Sequence, residues 1–82
     1  MAEMVAEIVY DLLIDVKGLQ CPLPLLRAKQ TLGDMGPGQI LKVVATDDTT
    51  KLSFTSYLKN SGDELLKMED YGEEIHHYIR KK

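Results

Sequence analysis

Leu12-Leu13-Ile14-Asp15-Val16-Lys17-Gly18-Leu19-Gln20-Cys21-Pro22-Leu23-Pro24-Leu25-Leu26-Arg27 runs from a strand pattern into a helix pattern. Leu12, Ile14 and Val16 are apolar at period two, while Asp15 faces the other way. Beyond the turn, Leu25, Ala28, Leu32 and Met35 recur at helical spacing, with Arg27, Lys29, Gln30, Thr31 and Asp34 between them. Gly18 supplies the turn. Cys21 falls at or beside the N-cap of the helix and Pro22 at its first position, where a missing N–H costs no hydrogen bond. Pro24 sits in the same window. It pushes Leu23 away from the α region, so the first turn is expected to be irregular.

This placement bears on the chemistry of the chain's one cysteine. A helix N-terminus carries about half a positive charge, which favours an anion, and the thiolate is the reactive form of cysteine. Lys17, Arg27 and Lys29 add to an expected electropositive neighbourhood. A free cysteine is most often a small buried hydrophobe. The flanking glycine, prolines and helix start turn the reading towards an exposed, reactive thiol.

Outward from this stretch, the first strand is expected to begin near Val9, with residues 1–8 as a frayed lead-in to one domain spanning 1–82. Glycine and proline in Met35-Gly36-Pro37-Gly38 stop the first helix. Gln39 to Thr46 reads as a strand with Leu41, Val43 and Ala45 on one face; Ile40 and Val44 make its other face partly apolar, which suits an interior strand, and Lys42 breaks that second face and is expected to reach solvent at its edge. Asp47-Asp48-Thr49-Thr50 starts a second helix through short polar caps. Phe54, Tyr57, Leu58 and Ser61 line one face of it, and Gly62 closes it. Its interior is rich in Ser and Thr, so packing must hold it.

Glu64 to Glu69 and Glu74 to Lys81 read as a hairpin around Gly72. Ile75, His77 and Ile79 share one face of the last strand, which makes His77 a partly buried histidine with a hydrogen-bond partner. Adjacent His76 and His77 point to opposite sides and cannot jointly grip a metal from within the strand. No metal site and no cofactor are expected. The order β-α-β-α-β-β gives an α/β (α+β) two-layer sandwich: a four-stranded mixed sheet with two helices on one face. The first two strands, joined through a helix, are expected to be parallel, and the last two antiparallel.

Composition narrows the function classes. A single cysteine excludes an internal disulfide, a CxxC pair and a multi-cysteine zinc site within these 82 residues. The net charge of −3 comes from interspersed acids and bases, and the one dense basic run is Arg80-Lys81-Lys82. A nucleic-acid binder would collect a basic excess on one face. Residues 1–5 show no secretory pattern and no segment is long enough to span a membrane, so a cytoplasmic protein is expected.

Gly18-Leu19-Gln20-Cys21-Pro22-Leu23-Pro24 followed by a basic amphipathic helix resembles the signature of the TusA/SirA family of small sulfur-carrier proteins. The likeness runs from Ile14 to Lys81 through Met35-Gly36-Pro37-Gly38, Ala45-Thr46-Asp47-Asp48 and Ser61-Gly62-Asp63-Glu64-Leu65. It implies the same sandwich, with Cys21 exposed where strand one meets helix one. It also implies a sulfurtransferase-type carrier that takes a sulfane sulfur as a persulfide on Cys21 from a cysteine desulfurase or rhodanese-like donor. The sulfur then passes to an acceptor protein, in tRNA thiolation, molybdenum-cofactor synthesis or sulfur oxidation.

On this reading Gly18, Pro22 and Pro24 support the cysteine, while Lys17, Arg27, Lys29 and Asp47 are candidates for partner contact or polarisation. Asp47 matches a recurrent family aspartate; the other reading of it is a helix cap. One cysteine suffices, because each step is an intermolecular exchange, and independent turnover chemistry is not evident. A monomer meeting its partners transiently is expected. Departures lie at Leu23, where many members carry glutamate, at Asp63 in place of histidine, and in a missing proline near Asp48. They bear on partner identity more than on sulfur chemistry. The alternative is a non-catalytic regulatory or RNA- or protein-binding module of the same fold, which the acidic balance disfavours for RNA.

Overall fold

A computed structural model describes residues 9–20 and 22–82. The expected lead-in at residues 1–8 lies outside the described residues. The order is β1 (Leu12–Asp15), α1 (Leu23–Asp34), β2 (Ile40–Ala45), α2 (Thr50–Ser61), β3 (Glu64–Asp70) and β4 (Ile75–Arg80). The four strands form one sheet in the order β1-β2-β4-β3, with β1 parallel to β2 and the other two pairings antiparallel. The mixed sheet with two helices on one face is therefore as the residue pattern predicts.

Alternation explains which face the helices cover. Leu41, Val43 and Ala45 of β2 and Ile79 of β4 are fully buried with Ala28 and Leu32 of α1 and Phe54 and Leu58 of α2. Val16, just past β1, and Met35, at the end of α1, complete this core. Each large side chain removed from water here contributes roughly 1.5–3 kcal/mol.

One expectation is corrected. The first strand begins at Leu12 rather than near Val9, because the Asp11 carboxylate accepts the Ile40 N–H (2.8 Å) that a strand carbonyl would otherwise take. β2 is an interior strand, as its two partly apolar faces suggest; on its second face half-buried Lys42 holds its ammonium over the rings of Tyr10 and Tyr78 at 5.2 and 5.3 Å. In β3 the register slips between Leu65 and Lys67, a bulge that alternation alone did not signal.

Helix α2 forms despite its composition. Ser53, Thr55 and Asn60 turn their side chains back onto the carbonyls of Thr49, Lys51 and Ser56, the usual resort of such residues inside a helix. Phe54 and Leu58 supply its buried stripe, and Gly62 ends it at φ +89°, donating its N–H to the Leu58 carbonyl (3.2 Å). Beneath it, His77 is fully buried and stacks on Phe54 with ring centroids 4.5 Å apart. Its burial is complete rather than partial, and the expected hydrogen-bond partner is found: Nε2 lies 3.1 Å from Thr50 Oγ1. His76 points the opposite way, to Glu74 and the edge of Tyr71.

Candidate functional site

Parallel strands joined through a helix leave a crevice beyond their C-terminal ends, where the chain departs into the crossover loops. Here β1 and β2 are the parallel pair. The loop after β1 turns at Lys17-Gly18: Leu19 N–H donates to the Val16 carbonyl (3.1 Å), and Gly18 takes φ +83°, a left-handed conformation that side chains resist. Gly18 N–H then donates to Thr46 Oγ1 (2.9 Å), tying the loop after β1 to the loop after β2.

In the second loop, Asp47 Oδ1 accepts the Thr49 N–H (2.9 Å) and the Thr49 hydroxyl (2.8 Å). Thr50 donates both its N–H (3.0 Å) and its hydroxyl (2.8 Å) to the Asp47 carbonyl. Capping was expected from these residues, and it takes this form: Thr49 is the N-cap without a side-chain cap bond, and Asp47 braces the turn ahead of it.

Between these loops and the β3–β4 hairpin lies a cavity of about 800 Å³, lined by residues 18–20, 46–49 and 72–73. Gln20 of this lining is the residue before Cys21 in the sequence. The expected exposure and N-cap placement of Cys21 itself lie outside the described residues. Its neighbours are described. Leu23 N–H donates to the Gln20 carbonyl (2.9 Å), closing a turn across residues 20–23, and Leu26 N–H reaches the Pro22 carbonyl (3.0 Å). Pro22 is consequently the N-cap, with ψ 11°, and not the first helical residue; the turn ends on it, so helical geometry starts one residue later, at Leu23. Pro24 is buried, while Leu23 and Leu26 stand 47% and 44% exposed beside the turn.

The cavity lining is acidic. Asp47, Asp48 and Glu73 line the cavity, and among its described lining residues none is basic. Lys17 is drawn to Asp15 and Glu74, both at 3.8 Å, across the mouth of the hairpin. The His76 ring, followed by Lys17, holds the Glu74 carboxyl below the usual carboxylate range. Arg27 and Lys29 are exposed on α1 outside the cavity lining, and the Lys29 ammonium sits 5.3 Å from the centre of the Tyr57 ring. The structure thus brings Gly18 and Asp47 to one cavity and leaves Arg27 and Lys29 out of it. Pro22 and Pro24 have no N–H to offer and Leu23 N–H is engaged, so α1 presents its dipole with few free donors.

Sequence reasoning missed Thr46, Thr50, Gly72 and Glu73. The threonines look like ordinary end-of-strand and start-of-helix residues, and the hairpin tip is some fifty residues from the cysteine in sequence. No local pattern joins them.

The sulfurtransferase TusA family model matches residues 13–81. The sulfur carrier protein TusA of Allochromatium vinosum is 43% identical over 72 residues, 88% of this chain and 95% of that protein. The sulfur carrier protein TusA of Pseudomonas aeruginosa is 33% identical over 72 residues, covering 88% and 91% of the two chains. A crystal structure of a SirA-like protein from Desulfitobacterium hafniense shares the fold, with a TM-score of 0.77 at 24% identity over 85% of this chain and 96% of that one. The chain belongs to the TusA family.

Proposed function

We propose that this chain is a sulfur carrier whose Cys21 accepts a sulfane sulfur from one protein and delivers it to another. The observation that carries the reading is the family match across residues 13–81, which includes Gly18, Cys21, Pro22 and Pro24 in their motif. Relatives named sulfur carriers over nearly their full length support it. So does the cavity beside Gln20, which is open to a visiting loop.

The chemistry balances without an external oxidant. The Cys21 thiolate attacks the outer sulfur of a donor persulfide; a new S–S bond forms on Cys21 while the donor S–S bond breaks, and its electron pair leaves on the donor thiolate. The acceptor thiolate then attacks the outer sulfur of the Cys21 persulfide in the same way. The α1 dipole favours the anion before and after each step. Donors of this chemistry are cysteine desulfurases and rhodanese-like enzymes, and the acceptor is a second thiol protein. A monomer acting in the thiol-reducing cytoplasm fits this role; among the described residues no helix is long and apolar enough to cross a membrane.

Intact mass before and after anaerobic incubation with a cysteine desulfurase and cysteine tests the proposal. One sulfur atom should be added, removed by reductant and absent in Cys21→Ser. No addition from the desulfurase, a rhodanese or polysulfide would sink it.

A further inference from the structure

The Asp47–Thr49 wall of the cavity is anchored from beneath by buried side chains. Thr50 Oγ1 has a single proton, and it donates it to the Asp47 carbonyl at 2.8 Å, an atom that can only accept. The contact at 3.1 Å between Thr50 Oγ1 and His77 Nε2 must therefore be made by an N–H on Nε2. That fixes the imidazole tautomer and leaves Nδ1 as a bare lone pair, buried and without a hydrogen-bond partner among the described residues. Its strand neighbours across the sheet are Val43 and Met68, and its ring lies on Phe54.

An unsatisfied buried nitrogen is a standing cost that an apolar ring of similar shape would avoid. Nothing about the packing of β4 calls for a polar group there. What the imidazole supplies is one directed donor, at the point where α2 begins and the cavity wall ends. We propose that His77 and Thr50 are positioning residues: a relay from His77 Nε2–H through the Thr50 hydroxyl to the Asp47 carbonyl holds the Asp47–Thr49 wall in place for docking of a protein sulfur donor.

From that carbonyl the anchoring continues along the chain. Thr46 precedes Asp47 and holds Gly18 N–H, three residues before the cysteine. A shift at Thr50 is therefore transmitted to both loops that face a visiting protein, while the thiol itself is left chemically intact. The inference rests on the sulfur-carrier reading.

Three variants test it. His77→Phe keeps a ring on Phe54 and removes the donor; Thr50→Val removes the hydroxyl at nearly equal volume; Thr50→Ser retains it. The readouts are sulfur loading from a cysteine desulfurase, as kcat and KM for the carrier, and loading from polysulfide, a small donor that needs no docking. His77→Phe and Thr50→Val should raise KM with the desulfurase by about tenfold, the effect of losing one hydrogen bond. Polysulfide loading should be unchanged, and Thr50→Ser should behave as wild type.

Thermal melting separates positioning from mere support. His77→Phe should melt no lower than wild type, because the unsatisfied nitrogen is gone, while its KM rises. Should Thr50→Val not fold, His77→Phe carries the test alone. Wild-type KM in a folded His77→Phe overturns the relay, as does an Nδ1–H tautomer in the nitrogen NMR spectrum of the native protein. A wild-type chain that loads from neither donor overturns the carrier reading instead, and is told apart because all variants then fail alike.

Discussion

A histidine with no exposure to solvent stays neutral as long as the fold can enforce it. Burial, with a smaller push from His76, lowers the pKa of His77 from its ordinary 6.5 to about 4. The unfolded chain therefore takes up a proton that the native chain refuses as the pH falls from 6.5 towards 4. Stability present above pH 6.5 is lost through that window, and the loss levels off below about 4, where the native ring also protonates. At 1.36 kcal/mol per pKa unit, the full loss is roughly 3 kcal/mol. Urea denaturation of wild type and His77→Phe from pH 7 to 4 isolates this contribution, because the exposed carboxylates are common to both. The difference between the two should grow on acidification, and a constant difference would mean that the ring is not held neutral. At this scale the sequence was informative about class and silent about partners. It assigned His77 to the apolar face of β4 by alternation, yet Thr50 is 27 residues away and carries no mark of the bond.

The elements owe their ends to single residues. Gly62 closes α2 at φ +89°, a conformation that costs an L side chain about 1–2 kcal/mol. A Cβ built there would also lie 2.9 Å from the Lys82 side chain, which is flexible enough to swing away. Gly62→Ala should accordingly lower stability by about 1–2 kcal/mol, read as a shift in urea midpoint at unchanged slope, with sulfur loading intact. The existence and type of every element was legible, because each carries its own period and its own stop signal. Boundaries were less so. Asp11 shortened β1 by capturing the Ile40 N–H, and the register of β3 slips at Leu66, both being cross-strand events invisible within one segment.

For the whole molecule, a sheet with two interior strands concentrates the core on β2 and β4. Leu41 is fully buried, opposite Leu12 of β1 and Ile79 of β4. Leu41→Ala should cost about 2–5 kcal/mol. In a domain of this size that is a large part of the total, so the variant should sit close to its unfolding midpoint under mild denaturant. A loss below about 1 kcal/mol would mean that the strand is not the centre of the core.

What the sequence determined by itself was everything that depends on neighbours along the chain. It carried the periodicities that make the strands and helices, the glycine and proline punctuation between them, and the motif around the one cysteine. The tertiary structure decided what depends on neighbours in space. It gathered the carboxylates of Asp47, Asp48 and Glu73 at one cavity, and it spent Lys17 on Asp15 and Glu74. It also joined His77 to Thr50 and Thr46 to Gly18. The reason is physical. Secondary structure repeats every two or 3.6 residues and leaves a trace in composition, whereas a hydrogen bond between loops depends on a distance that only the packed sheet sets.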